Sequence, residues 1–297
     1  METDRNWVTL AARLREAPGF QTVYITGQSN AGKTTLCQYL VGELAKLSVG
    51  HLDCDPGQSQ IGPPGTVGLK ILSKRSDAER DLFLRFVGAT SPASNILQNL
   101  SSIKRLQEKA FERKVQKLIV DSSGYVQGSL AREFQFQVID LMRPDVVVVL
   151  MKERSVNPLF RNFLGTPEIE ILRFPVSQSA VLRSAPARRA FREGSFSRYF
   201  NDAGSREISF KHVGLHGKIP LIHHPETWKN LLIAPCDSEN FALCLGIIEH
   251  IDLATNSIRF WGPPFESDAV CAIQFGSIYL DRSGKELSPP RAIEREE

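Results

Sequence analysis

Residues 27–34, GQSNAGKT, have the residue types and spacing of a loop that binds a nucleoside triphosphate. They fit the pattern G-x-x-x-x-G-K-[ST] in full. In such a loop the glycines let successive backbone N–H groups point at phosphate oxygens, and the helix that follows adds the positive end of its dipole. Lys33 is expected to neutralise the β- and γ-phosphates, and the Thr34 hydroxyl to bind Mg²⁺. The pattern therefore predicts a site for ATP or another nucleoside triphosphate.

The flanking sequence supports this prediction. The apolar run at residues 23–25, which contains β-branched residues, indicates a strand before the loop, and apolar residues at helical spacing follow the loop. A glycine-rich turn before an ordinary helix is the alternative. The residues expected to contact the nucleotide are those of the loop and the next one along: Gly27, Gln28, Ser29, Asn30, Ala31, Gly32, Lys33, Thr34 and Thr35.

Three carboxylates follow two further predicted strands. Asp53 and Asp55 form a D-x-D pair after the run at 49–53, and Asp121 ends the run LIVD. In the D-x-D pair, one carboxylate could organise Mg²⁺ or its waters while the other accepts a proton from an incoming hydroxyl group. Asp121 fits a carboxylate that reaches the water shell of the metal. The alternatives are an acidic turn for the pair and a capping role for the segment at Asp121.

One aromatic and one basic stretch could contact a substrate. Tyr125, next to the loop after LIVD, could stack on a base or pack at the rim of the fold. Residues 183–200 contain five arginines and a single acid. This stretch could close over phosphates as a lid, bind nucleic acid, or form a solvated helix face.

The elements that must position these residues alternate between strands and helices. A helix is predicted at 5–17. Strands are predicted at the run 23–25 and at 49–53, 82–88, 117–121 and 144–151, the last as a central strand. Residues 63–72 are predicted as a turn followed by an extended stretch. This order predicts a phosphate-loop NTPase-like α/β fold, a parallel sheet with helices on both faces and ligands at the carboxyl ends of its strands.

From about residue 205 the sequence changes to short, turn-separated strands. We therefore predict two domains: residues 1–204, which include the arginine-rich stretch at about 176–200, and a small β-rich domain at 205–297.

The composition excludes several classes of protein. The net charge of +3 is small, so a nucleic-acid partner would be bound by a local basic cluster. The five cysteines are scattered without a C-x-x-C pair, and the six histidines show no metal-ligand spacing, which argues against a disulfide framework and a zinc site. No apolar run approaches the ~18 residues of a membrane helix, and the start is unlike a signal peptide. We expect a cytoplasmic protein with no membrane partner.

Several motifs, in this order, resemble the polynucleotide 5′-hydroxyl kinases. These are GQSNAGKTT, DCDPGQSQIGPPGT, FVGATSPASN, IVDSSGYVQG and the arginine-rich stretch that ends in RYF. The resemblance covers about residues 20–200, and its specific part is the D-x-D-x-G-Q element after a phosphate loop. The family includes kinases of pre-mRNA cleavage and of ribosomal-RNA processing. One departure lies at residues 121–125, DSSGY, where eukaryotic members have Asn-Thr-x-Gly-Trp.

The resemblance implies further roles for single residues. Asp55 resembles the family's general base, which receives the proton of the 5′-hydroxyl. Gln58 resembles the family's motif glutamine, which lies near the substrate and the metal. The segment at 90–95 resembles a clasp on the phosphate loop and the polynucleotide end. The residues it assigns to the clasp and to the lid are Thr90, Ser91, Asn95, Arg183, Arg188, Arg189 and Arg192.

The expected function is therefore transfer of the ATP γ-phosphoryl group to the 5′-hydroxyl of RNA or DNA, with Mg²⁺. Two alternatives remain. One is a non-catalytic ATP-binding module that scaffolds an RNA-processing partner. The other is an NTPase switch, which would normally carry an N-K-x-D motif that the sequence lacks. No motif in the sequence predicts a particular protein partner.

Overall fold

The chain forms two compact units, each built from several segments. The computed structural model describes residues 4–73, 81–151, 162–163, 165–176, 184–220 and 227–290. The first unit comprises Met1–Gly62, Val67–Phe83 and Ser91–Ser184, and the second comprises Pro63–Thr66, Leu84–Thr90 and Ala185–Glu297. In the described parts, no helix is both long and apolar enough to cross a membrane.

The first unit is built on a seven-stranded sheet with the strand order β4-β3-β2-β5-β1-β6-β7. Its strands are β1 (Gln21–Gly27), β2 (Val49–Asp53), β3 (Thr66–Leu72), β4 (Leu82–Phe86), β5 (Lys117–Asp121), β6 (Val146–Met151) and β7 (Glu170–Pro175). Its described helices are α1 (Arg5–Glu16), α2 (Lys33–Glu43), α3 (Ile96–Glu112) and α4 (Ser129–Met142). The first residue of β3 and the last three of β4 are assigned to the second unit.

Five adjacent strands of this sheet, β2, β5, β1, β6 and β7, run parallel. The register pairs Asp121 with Ile25 on one side and with Asp53 on the other. Because parallel strands end at the same edge, this register brings the phosphate loop and the predicted carboxylates together. The α/β fold class predicted from the sequence is confirmed.

Two details of the sheet differ from the prediction. The extended stretch within 63–72 is β3, which runs antiparallel to β2, so the sheet is mixed. Residues 54–65 contain no helix, whereas the crossover that joins two parallel strands is usually an α-helix. The middle strand is β5 rather than β6. The valine run of β6 reflects burial on both faces, which every interior strand experiences.

Helices cover both faces of the sheet. Leu10 and Leu14 of α1 and Leu36 of α2 share a core with Val23 and Ile25 of β1. On the opposite face, α4 is joined to β1 by hydrogen bonds from Tyr24 and Thr26. Side chains alternate between the faces of a strand, so odd and even residues of β1 contact different helices.

The second unit is a largely antiparallel sheet with one long helix. The helix is α5 (Ala185–Tyr199), and the strands are β8 (Gly204–Ser209), β9 (Gly214–Gly217), β10 (Leu231–Cys236), β11 (Gly246–Asp252), β12 (Ser257–Gly262), β13 (Ala272–Leu280) and β14 (Glu286–Leu287). The order is β14-β13-β10-β11-β12-β8, and β9 pairs in parallel with β13. The predicted β-rich C-terminal region is thus observed.

The predicted boundary after residue 204 differs from this division, because α5 belongs to the second unit. Phe196 and Phe200 are buried in a core with Leu232 and Leu280. The segment 84–90 is also part of this unit. Ala242 N–H donates to Leu84 O at 2.8 Å, and Ser277 N–H donates to Gly88 O at 2.7 Å. Burial of the aromatic side chains of α5, rather than its charges, decides where this helix packs.

Candidate functional site

The phosphate loop connects β1 to α2, as predicted. Gly32, the residue before α2, has φ +94°, a left-handed conformation that glycine adopts without strain. At the start of the loop, a Cβ atom on Gly27 would lie 2.6 Å from the backbone oxygen of Leu150 on β6. Only glycine fits this close approach. Glycine is therefore required at the two positions of the sequence pattern for different reasons: a left-handed backbone at Gly32 and close packing at Gly27.

Lys33 is folded back onto the loop. Its ammonium group donates to Gly27 O at 3.0 Å and to Gln28 O at 3.1 Å, and the side chain is buried. Burial lowers the pKa of Lys33, while Asp121 and Asp55 oppose the shift. A buried cation whose described hydrogen-bond partners are two neutral carbonyl oxygens is well placed to exchange them for phosphate oxygens.

Thr34 and Asp121 form the next part of the site. The Thr34 hydroxyl donates to Asp121 Oδ2 at 2.6 Å. The second carboxylate oxygen, Oδ1, is buried and has no hydrogen-bond partner among the described residues. Burial raises the pKa of Asp121, and the bond from Thr34 and the charge of Lys33 partly counteract this. A hydroxyl and an unpartnered carboxylate oxygen at one place are oxygen ligands of the kind that Mg²⁺ prefers.

Asp53 organises the loop that follows β2. Its Oδ2 accepts hydrogen bonds from Gln60 N–H at 2.5 Å, Ile61 N–H at 3.2 Å and the Ser59 hydroxyl at 3.2 Å. Its Oδ1 accepts one from Asp55 N–H at 3.0 Å. Burial raises the pKa of Asp53, and the charge of the neighbouring Asp121 is the second largest cause of this shift. Both oxygens of Asp53 are therefore already engaged in shaping the loop.

Asp55 is more accessible than Asp53, and both of its carboxylate oxygens accept hydrogen bonds from backbone N–H groups. Its Oδ1 accepts from Gly57 N–H at 2.9 Å and Gln58 N–H at 3.0 Å, which fixes a tight turn. Its Oδ2 lies 3.3 Å from the N–H of Gly124, which donates to it. Gly124 O accepts from the hydroxyl of Ser29, a phosphate-loop residue, at 3.5 Å. Asp55 and the phosphate loop thus contact the same glycine.

The remaining residues predicted near this edge of the sheet lie in different environments. The Gln58 amide donates to Gly57 O at 2.9 Å. The Tyr125 ring is half-buried and packs at a tilt against Phe134, with ring centres 6.2 Å apart. Ser91 precedes the short 3-10 helix Pro92–Ser94.

The clasp residues themselves are divided between the two units. Asn95 stands directly before α3, and its backbone oxygen accepts hydrogen bonds from Asn99. Ser91 and Asn95 belong to the first unit, and Thr90 to the second.

The arginines of the arginine-rich stretch have more carboxylate partners in the structure than the local sequence indicates. Arg192 donates to Glu286 Oε1 at 2.5 Å through Nε and to Oε2 at 2.9 Å through Nη2. Arg189 donates to Glu193 Oε1 at 2.9 Å and to the backbone oxygen of Glu286 at 2.6 Å. Arg188 is exposed on α5. Glu286 is a distant acid that sequence spacing could not connect to this helix. Arg183 lies outside the described residues.

Sequence analysis did not single out Gln135 of α4. This residue is fully buried, and it hydrogen-bonds to Tyr24, Thr26 and Tyr125. A single polar residue in the apolar stripe of a helix is a weak signal, because most such residues are solvated at the edge of the stripe.

His51 of β2 is buried, as expected for a packed histidine. Burial and the charge of Lys70 lower its pKa to about 4. One donor atom each of Cys37, His51 and Asp121 lie within 4.8 Å of one another. Burial raises the pKa of the Cys37 thiol well above its usual range, so this thiol stays protonated. A protonated thiol is typical of a cysteine that packs in the core, whereas a metal ligand is a thiolate.

The comparisons with known proteins agree with this arrangement. The family model described as "mRNA cleavage and polyadenylation factor CLP1 P-loop" matches residues 27–202. A polyribonucleotide 5′-hydroxyl-kinase of Methanocaldococcus jannaschii is 24% identical, with 89% of this chain and 88% of that protein covered. One of Pyrococcus furiosus is 26% identical, with 96% and 94% covered.

A solved structure gives the same fold. It is the wild-type Clp1p–Pcf11p complex, in which the matching chain has a TM-score of 0.71 at 17% identity, with 94% of this chain and 80% of that chain covered. Because the family model matches more than half of the sequence, the chain belongs to the CLP1 P-loop family, and its loop is a nucleotide-binding site.

Proposed function

We propose that this member of the CLP1 P-loop family is a polynucleotide 5′-hydroxyl kinase, which transfers the γ-phosphoryl group of ATP to the 5′-hydroxyl end of RNA. Its archaeal relatives of this name align with 89% and 96% of the chain. The observation that carries the proposal is that Asp55 and Ser29 of the phosphate loop both contact Gly124. A carboxylate suited to be a general base therefore lies beside the phosphate loop.

The reaction is an in-line displacement. As the 5′-oxygen attacks the γ-phosphorus, its proton passes to Asp55, and the bond to the β–γ bridging oxygen breaks with its electron pair leaving on ADP. Lys33 exchanges the carbonyl oxygens of Gly27 and Gln28 for phosphate oxygens, where its charge is better balanced. Catalysis then depends on positioning and electrostatic stabilisation.

The fit of a cation to this site supports a requirement for Mg²⁺. Thr34 and the unpartnered Oδ1 of Asp121 would hold it, and Mg²⁺ would neutralise charge on the β- and γ-phosphate oxygens. Asp53, at the neighbouring strand end, keeps the loop of Asp55 in shape.

The substrate side of the proposal extends the predicted roles. Tyr125 offers a half-buried ring for stacking on a terminal base. The other residues proposed to hold the polynucleotide end or the transferred group are Gln58, Thr90, Ser91, Asn95, Arg183, Arg188, Arg189 and Arg192. The same proposal includes DNA ends as acceptors and other nucleoside triphosphates as phosphoryl donors. It also includes a cytoplasmic location.

A phosphate-transfer assay tests this function. It uses γ-labelled ATP, Mg²⁺ and matched RNA and DNA oligonucleotides with a 5′-hydroxyl, together with the 5′-phosphorylated strands as controls. Label on the 5′-hydroxyl strands only is the expected result, and the RNA-to-DNA ratio gives the sugar preference. If ATP binds but no strand is labelled, the kinase proposal fails and the chain is a non-catalytic ATP-binding module.

A further inference from the structure

Gln135 lies at the centre of a small buried hydrogen-bond network in the first unit. Its Oε1 accepts from the Tyr24 hydroxyl at 2.7 Å and from the Thr26 hydroxyl at 3.3 Å. Its Nε2 donates to the backbone oxygen of Tyr125 at 3.0 Å. The side chain has no exposed surface, so the amide exchanges no hydrogen bond with solvent. One side chain therefore joins α4, β1 and the loop after β5.

The chemistry of the partners fixes the orientation of the amide. The backbone oxygen of Tyr125 can only accept, so Nε2 must face it, and Oε1 must then face the two hydroxyls. Reversal would leave the Tyr125 oxygen facing an acceptor at a buried position. A buried polar group without a hydrogen-bond partner is unfavourable, because it has lost its bonds to water without replacement. The network thus permits a single arrangement.

The two ends of this network each lie one residue from the catalytic site. Thr26 directly precedes Gly27, where the phosphate loop begins. Tyr125 directly follows Gly124, which donates to Asp55 Oδ2 and accepts from Ser29. A Cβ atom on Gly124 would lie 2.2 Å from the Ser29 hydroxyl oxygen, so the two loops are packed closely at this point.

We propose that Gln135 is a positioning residue for phosphoryl transfer. By fixing the Tyr125 carbonyl against β1, it sets the position of the loop 122–128 relative to the phosphate loop, and Gly124 then holds the Asp55 carboxylate beside the phosphate loop, where it can accept the proton of the 5′-hydroxyl. This inference rests on the proposed kinase function. A shift of about 1 Å in such a contact can cost about 10²-fold in rate.

The test compares two buried variants with a matched exposed one. Gln135→Met and Gln135→Leu each remove all three hydrogen bonds at similar volume. Gln137→Met, two residues along α4 on its exposed side, is the control. We expect the kcat for transfer to RNA to fall about 10- to 100-fold in both buried variants. The ATP dissociation constant should stay within about threefold, since the phosphate loop is unchanged, and the control should match the wild type.

A double-mutant cycle separates positioning from general destabilisation. If Gln135 acts through Asp55, Gln135→Met should cause no further loss of kcat in an Asp55→Asn background. Losses that multiply would mean that Gln135 is only structural. Thermal melting identifies a variant that does not fold, and Gln135→Leu then gives the result for Gln135→Met. A folded buried variant with kcat within about twofold of the wild type overturns the inference. Failure of the wild type to label any strand overturns the proposed function instead.

Discussion

The hydroxyl of Thr34 donates a 2.6 Å hydrogen bond to Asp121, a residue 87 positions further along the chain. The contact follows from the sheet, because β1 and β5 are neighbours and the register places Asp121 beside Ile25, shortly before the phosphate loop. Burial of the pair raises the pKa of Asp121. A cation bound here would counteract that shift by giving the carboxylate an opposite charge.

This relationship predicts how activity depends on Mg²⁺. Thr34→Val and Asp121→Asn each remove one oxygen ligand or its charge, so the Mg²⁺ concentration for half-maximal transfer should rise about 10-fold or more. A Mg²⁺ titration of initial rates measures this. Thr9→Val, on the exposed face of α1, is the matched control. An unchanged titration curve in folded Thr34→Val would exclude its hydroxyl as a ligand.

Replacing Lys33 should abolish transfer without unfolding the protein. Lys33→Ala removes the charge that balances the phosphates, and a loss of about 10³-fold in kcat is expected. Its described hydrogen bonds go only to two loop carbonyls, so the melting temperature should change little. Lys46→Ala, an exposed lysine just after α2, should keep the wild-type rate. A Lys33→Ala enzyme with a rate near that of the wild type would contradict the phosphate role.

Asp55→Asn tests the general base. The side-chain oxygen of asparagine can still accept from Gly57 and Gln58, so the turn should persist, but no group remains to take the proton. Loss of a general base costs about 10²–10⁴-fold in rate. Single-turnover kinetics with saturating ATP measure it, and the exposed Asp140→Asn on α4 is the control. Near-wild-type turnover would show that another group accepts the proton.

Arg192 should contribute to stability through Glu286. Both carboxylate oxygens of Glu286 accept from its guanidinium group, and the two side chains are only 16% and 19% exposed. Lysine cannot make this two-pronged contact, so Arg192→Lys should lower the free energy of unfolding by about 1–2 kcal/mol. Urea denaturation measures it. Arg198→Lys, whose arginine bonds only to Ser195 among described side chains, should cost less. Equal effects would mean that the pair with Glu286 contributes nothing.

The cysteines should differ sharply in reactivity. Burial raises the pKa of Cys236 and of Cys244 to about 12, so at pH 8 about one thiol in 10⁴ is ionised. Cys271 is exposed. Labelling of the native protein with iodoacetamide should therefore modify Cys271 first, and the rate at buried thiols should rise with pH. Cys271→Ser should remove the fast phase, and a fast phase that persists would contradict the burial of the others.

Local patterns were sufficient to predict the phosphate loop and its surroundings. The positions of Gly27 and Gly32 are set by backbone geometry that glycine alone satisfies, so the pattern is visible in the sequence. The strands β2 and β5 were predicted with their observed bounds because each is an apolar run that ends in a carboxylate.

Long-range pairings were beyond the sequence. Glu286 meets Arg192 across 94 residues, and Gln135 meets Tyr24 across 111. Neither pairing leaves a spacing pattern, since partners of this kind are chosen by tertiary packing. The antiparallel direction of β3 was missed for a related reason, although the extended stretch itself was predicted. An extended stretch gives no sign of its direction in the sheet until its connection to β2 is known.

The division of the chain into interleaved segments limits where this protein can be truncated. The second unit takes Pro63–Thr66 and Leu84–Thr90 from within the sequence of the first. A break after Ser184 keeps every segment of the first unit, but it separates these two segments from the rest of the second. No single break in the chain therefore yields both units complete, and the β-rich unit cannot be removed whole by shortening the chain from its C-terminus.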